Sequence, residues 1–134
     1  MRYFLLVPFG LMLSGCVPAF EIDSAISNYK GVSSNIELGD SKEDFVRNVL
    51  SVQSDLASEY KKEPDRYIKQ GVKVEIYYMR SVLQSDGLTT DDEFTPYVFN
   101  NGKLVAIGWA TLGGPKTQGQ ASSDTYVQNT NIVY

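Results

Sequence analysis

Apolar residues fall along this 134-residue chain in three rhythms, each predicting a different element. Positions 3–13 are almost wholly apolar. Between 38 and 52 the apolar residues recur every three or four positions. From 72 to 110 they largely alternate with polar ones.

The middle rhythm predicts an amphipathic helix. Phe45, Val46, Val49, Leu50 and Val52 form a stripe against a polar back of Lys42, Asp44, Arg47 and Asn48, and such a stripe belongs against a core. Asp40 is placed to cap its start, Glu43 stands three residues on for a capping box, and Leu38 can bracket the entry with an apolar contact. A shorter helix is expected over 23–29. Asp23 or Ser24 would cap it, Ala25, Ile26 and Tyr29 share one side, and Gly31 would end it. The charged stretch 53–70 can prolong the main helix through Leu56, Ala57 and Tyr60 until Pro64 breaks it. Its Lys61-Lys62-Glu63 run reads as a solvated face.

Period two takes over at 72–80. Val72, Val74, Ile76 and Tyr78 fall on one side, and Lys73, Glu75, Tyr77 and Met79 on the other, as in a strand with one wet face. A polar connection over 81–93 follows, with Asp86-Gly87 inside it. Strands are then expected over 94–100 and 103–110, joined at Asn101-Gly102, because a two-residue hairpin turn needs positive φ at both positions. Tyr97 and Phe99 share a face of the first arm; Val105, Ile107 and Trp109 share a face of the second. Pro96 lacks an amide donor and belongs near a strand start or on an edge. From 113 to 134 the chain is rich in Gly, Ser, Thr and Gln and reads as a flexible tail.

The apolar run 3–13 has a different meaning. It follows the single charge of Arg2 and closes on Leu13-Ser14-Gly15-Cys16, the layout of a secretory signal; a spanning helix would want ~20 residues. Leu-Ser-Gly-Cys resembles the bacterial lipobox, in which the cysteine thiol takes a lipid and becomes the new N-terminus. Residues 1–15 are therefore expected to be a signal peptide and Cys16 the lipidation site, with 16–35 a lipidated segment carrying the short helix. By resemblance to sorting in Gram-negative bacteria, Val17 in place of Asp directs the protein to the outer membrane, facing the periplasm. Three fatty chains at ~0.8 kcal/mol per buried methylene hold it there.

Composition narrows the chemistry. The 119 residues after the leader suit one small core. Twelve Lys and Arg stand against 16 Asp and Glu, so no basic face for nucleic acid is expected. Cys16 is the sole cysteine and histidine is absent, which removes the commonest general base and metal ligand. Asp86, Asp91, Asp92 and Glu93 crowd one loop, but not at the spacing of a calcium loop. Gly113-Gly114-Pro115-Lys116-Thr117 echoes a phosphate loop, yet Pro115 stands where glycine is required and no helix follows. No cofactor and no enzymatic activity are expected. Trp109 and the tyrosines read first as core and sheet surface.

Two segments carry a family resemblance. Leu38-Gly39-Asp40-Ser41-Lys42-Glu43-Asp44-Phe45-Val46 and Phe99-Asn100-Asn101-Gly102-Lys103-Leu104-Val105 are similar to the helix opening and the hairpin of the BamE-like (SmpA/OmlA) small outer-membrane lipoproteins, over roughly 36–109. The resemblance implies an α+β domain over 36–112, with two helices packed on one face of a three-stranded antiparallel sheet. It implies a non-enzymatic protein-binding module in envelope or outer-membrane protein assembly, whose partner is an envelope protein or the lipid surface. With the Tyr77 face of the sheet left open, Tyr77, Met79, Tyr97 and Trp109 are the expected contact patch. The alternative is a periplasmic module that binds a small ligand or inhibits a foreign protein.

Overall fold

A computed structural model of the protein describes residues 17–84 and 86–118. Cys16, the leader and residues 119–134 of the expected tail lie outside the described residues. The fold is α+β: helices α1 (Val17–Ser33) and α2 (Lys42–Asn48) with an antiparallel sheet of β1 (Asp65–Lys69), β2 (Val72–Arg80), β3 (Phe94–Asn100) and β4 (Lys103–Ile107), paired in sequence order. Four strands stand where three were expected. The strand that was missed, β1, hides in the charged stretch because all five of its residues are exposed, leaving no alternation to read. Its partner creates it. Gln70 and Gly71, at φ 51° and 78°, turn the chain back so that Asp65 pairs with Ile76 and Lys69 with Val72.

The long strand is central and buried on both faces from Val74 onward. Tyr77 and Met79 join Tyr97, Phe99 and Leu104 beneath Tyr29 of α1, Phe45 of α2 and Val49, the residue that caps its end. The opposite face, Val74, Ile76, Tyr78, Phe94 and Val98, is packed by Ala106, Trp109 and Leu112. The short arm after β4 folds back to supply two of these covers, which the expected straight strand to 110 did not allow. A bulge shifts the register after Val98/Phe99, and Gly108, at φ 92°, lets the chain leave the sheet, so Trp109 lands on the face opposite Tyr97. Pro96 sits three residues into β3, where its carbonyl accepts the Gly108 N–H at 2.8 Å just beyond the end of β4.

Both helices depart from their expected limits for packing reasons. α1 runs through Gly31 to Ser33; a glycine costs about 1 kcal/mol inside a helix, and Ile22, Ala25, Ile26 and Tyr29 offset it by burying one side of α1. Against that side stands Leu56, with Tyr60 and Leu83. α2 is capped by Ser41, whose Oγ accepts the Asp44 N–H at 3.2 Å, not by Asp40, whose carboxylate takes the Glu37 N–H instead. Leu38 is 65% exposed and brackets nothing. Segment 39–42 is held away from a helical start by β4: Ser41 bridges Lys103, and Asp40 and Leu104 exchange main-chain contacts with their neighbours across the gap. After α2 the stripe continues as a 3-10 turn, Leu50–Gln53, followed by another at Ser58–Tyr60.

Candidate functional site

The expected contact patch does not form. Tyr77, Met79 and Tyr97 are buried beneath the helices, where Phe45 packs on the rings of Tyr77 and Tyr97. The two faces are exchanged relative to the expectation because Val72, Val74, Ile76 and Tyr78, which read as the core side, equally need cover, and the helices carry the aromatic-rich complement. Tyr97 also meets Tyr29 in a short hydroxyl–hydroxyl hydrogen bond. Burial, with that bond, pushes the Tyr97 phenol well above its ordinary range, which keeps it protonated. Trp109 lies on the other face, stacked on Tyr78 at 5.7 Å with its indole N–H on the Phe94 carbonyl at 2.8 Å.

The open feature lies at the edge of β2. β1 begins opposite Ile76, so the last residues of β2, paired with β3 on one side, run on without a strand on the other. A cleft of about 430 Å³ opens there, walled by Val46 and Leu50 on one side, by Lys61, Lys62 and Pro64 on the other, and floored by Tyr77, Tyr78 and Phe94. Gln53 closes its far end. The side-chain carbonyl of Gln53 accepts the Arg80 N–H at 2.8 Å, and its amide donates to the Arg80 carbonyl at 2.7 Å and to Ala25 of α1 at 3.3 Å. Lys61 is tied to the Ser54 carbonyl at 2.6 Å, and Lys62 spans from Asp91 at 3.1 Å to the Tyr78 ring. Both lysine stems therefore stand in fixed positions at the rim.

The wall behind Gln53 is a buried ion pair. Arg80 and Glu93 are bonded to each other with almost no exposure, Arg80 Nη1 donates to the Tyr60 carbonyl at 3.0 Å, and Glu93 accepts main-chain N–H groups of Gln84 and Thr90, each at 3.0 Å. Arg80 Nε has no partner among the described residues. The acidic loop is thus taken apart by the fold. Glu93 pairs inward and Asp91 outward to Lys62, Lys116 and Thr117, while Asp92 accepts from the Gln84 amide at 2.8 Å and Asp86 from the Leu88 N–H. Burial alone would raise the Asp91 carboxyl; the Lys62 ammonium and the two backbone donors bring it below its usual range. These bonds also fix residues 116–117, the near end of the expected flexible tail, against the turn at 91–92. Among the described residues no three acidic or other ligating side chains gather as a metal requires. The Ser-x-x-Lys spacing occurs at Ser27–Lys30, both exposed on α1, and at Ser58–Lys61, where the Lys61 ammonium is bonded to the Ser54 carbonyl.

A second polar cluster surrounds Glu75, two residues before Tyr77 in β2. Its carboxylate accepts from Lys42 Nζ at 3.0 and 3.3 Å, Arg66 Nε at 3.3 Å and the Tyr77 hydroxyl at 3.0 Å, with Lys73 Nζ at 3.4 Å. Burial works to raise the Glu75 carboxyl, but bonds from Lys42 and Tyr77 and the Lys42 charge overcome it and carry it down to about 2. Sequence spacing gave no sign of this cluster, since its members come from α2, β1 and β2.

These features define a small α+β domain whose ionisable core groups are engaged in structural pairs and whose open site is an apolar cleft beside a strand edge. The chain belongs to the DUF3192 family of proteins of unknown function, which it matches over residues 23–113, from within α1 to the turn after β4. No curated protein and no solved structure matches it. No helix among the described residues is long and apolar enough to cross a membrane.

Proposed function

We propose that this protein is an outer-membrane lipoprotein, anchored through Cys16, that acts without catalysis as a binding module for an envelope protein. The observation that carries the binding role is the cleft. Its walls are apolar, its rim lysines are held, and it runs along the part of β2 where β1 has not yet begun. A partner segment placing an apolar side chain between Val46, Leu50 and Pro64 would bury surface at about 25 cal/mol per Å², while Lys61 and Lys62 favour acidic residues beside it. The lipobox at Leu13-Ser14-Gly15-Cys16 supports the anchor, and the resemblance to BamE-like lipoproteins supports a role in envelope assembly or maintenance. The contact surface in this reading is the cleft, to which only Tyr77 of the expected Tyr77, Met79, Tyr97 and Trp109 patch contributes, as floor.

Two measurements test it in living cells. Labelled palmitate should attach to the wild-type chain and not to Cys16→Ser. A photo-crosslinking residue at Leu50 should give a discrete protein adduct that Val46→Asp abolishes, and the same residue at exposed Ile68 should not give it. Failure of the label removes the anchor; an identical adduct from Ile68 removes the cleft.

The alternative of a small-ligand module also has an observation in its favour, because about 430 Å³ lies within the range of small-molecule sites. Saturable stabilisation of the purified protein by a small apolar acid, lost in Val46→Asp, would decide for it.

A further inference from the structure

The cluster around Glu75 holds more positive charge than one carboxylate can use. Lys42, Arg66 and Lys73 all stand within 3.4 Å of its two oxygens. One of the three balances Glu75, and Glu43 is a further acid close enough to act on Lys42, so a surplus of one positive charge persists in a chain that is acidic as a whole. Like charges gathered this closely repel unless a counter-charge joins them. Glu75 is saturated already by donors from Lys42, Arg66 and Tyr77, so it cannot supply that charge.

The cations are also prearranged. Lys42 and Lys73 share the same oxygen, Oε1, and the Arg66 guanidinium lies over the Tyr77 ring at 5.6 Å. The side chains of Arg66 and Lys73 are each 55% exposed and that of Lys42 25%, while Glu75 beneath them is 3% exposed. Side chains already held in place lose little further freedom when they bind. A guanidinium beside two ammoniums offers several N–H donors to an oxyanion.

The geometry points to an anion site formed by Lys42, Arg66 and Lys73 over Glu75, taking a phosphate group. It is distinct from the cleft, which none of Lys42, Arg66 and Lys73 lines, although Tyr77 borders both, and it does not depend on the proposed anchor. The phosphate could belong to a free solute or to a lipid headgroup, and the test has an arm for each.

The full chain is titrated with inorganic phosphate and with pyrophosphate against chloride at matched ionic strength, following the backbone and side-chain NMR signals of Arg66, Lys73 and Glu75. Saturable shifts are expected below ~10 mM, the affinity of a few exposed charge-assisted contacts. Arg66→Met and Lys73→Met should each weaken binding about fivefold, and the double variant should abolish it. Lys69→Met, on the other face of the same strand, should leave it unchanged. Vesicles of phosphatidylethanolamine with phosphatidylglycerol form the second arm: shifts with vesicles as well assign the site to headgroups, and shifts with free phosphate alone assign it to a solute. Shifts that follow ionic strength only, equal loss in Lys69→Met, or no saturation by either source overturn the proposal.

Discussion

Gln53 completes the edge of β2 by pairing its side-chain amide with the main chain of Arg80. The carbonyl accepts at 2.8 Å and the amide donates at 2.7 Å, the same two contacts a neighbouring strand would make. The residue is buried, so water cannot take over if it is removed. Gln53→Leu keeps the bulk and leaves two main-chain groups of Arg80 unsatisfied, at 1–3 kcal/mol each. A loss of about 2–6 kcal/mol in denaturant unfolding is expected, with faster hydrogen exchange at the Arg80 amide. Gln53→Glu should cost at least as much, since a buried carboxylate cannot donate to the Arg80 and Ala25 carbonyls and stands against them without a counterion.

The ion pair behind it should answer differently to single and double changes. Glu93→Gln leaves the buried Arg80 charge without its counterion, and breaking one side of such a pair costs about 3–5 kcal/mol. Replacing both, as Arg80→Met with Glu93→Leu, removes the stranded charge. The double variant should therefore be more stable than Glu93→Gln in equilibrium unfolding, although Gln84 and Thr90 lose their acceptor.

Glu75 gives the protein a specific acid response. Its folded value, about 2, lies below the ordinary 4.5, so its contribution is complete above pH 4.5 and disappears as the pH falls through about 2. Other carboxylates also weaken the fold in acid, so the informative quantity is a difference. Glu75→Gln should be less stable than wild type at pH 7, and the gap should close steadily between pH 4.5 and pH 2. A gap that stays constant with pH would show that the ion cluster contributes nothing.

The β3–β4 turn offers a local test. Asn101 and Gly102 sit at φ 47° and 80°, a region costing an ordinary L residue roughly 1–2 kcal/mol. Asn101 also accepts the Lys73 N–H at 3.1 Å, tying this turn to β2. Asn101→Ala loses both tolerance and bond, Gly102→Ala only the first. Thermal unfolding should rank them wild type, then Gly102→Ala, then Asn101→Ala.

Much of this was written locally. Asn101-Gly102 fixed a hairpin because few other pairs accept its backbone, and Val72 to Arg80 announced a strand through strict alternation of β-formers. Phe45 and Val49 declared their helix by spacing alone. What escaped local reading depended on partners far along the chain. β1 has no pattern of its own and exists through its pairing with β2. The cap moved from Asp40 to Ser41 because β4 draws the preceding residues alongside it. The face carrying Tyr77 and Met79 looked wet, since one strand cannot say whether one layer or two will cover it.

The sequence by itself determined which segments could be strands and helices, and that imidazole chemistry was closed to this protein, because propensity, turn backbone and composition are properties of neighbours or of the whole list of residues. Only the tertiary structure decided that Tyr77, Met79 and Tyr97 lie inside, that Gln53 seals a strand edge, and that Lys42, Arg66 and Lys73 meet on Glu75. Those are contacts between residues distant in the chain, and their energies depend on a burial that no single segment possesses before the layers close.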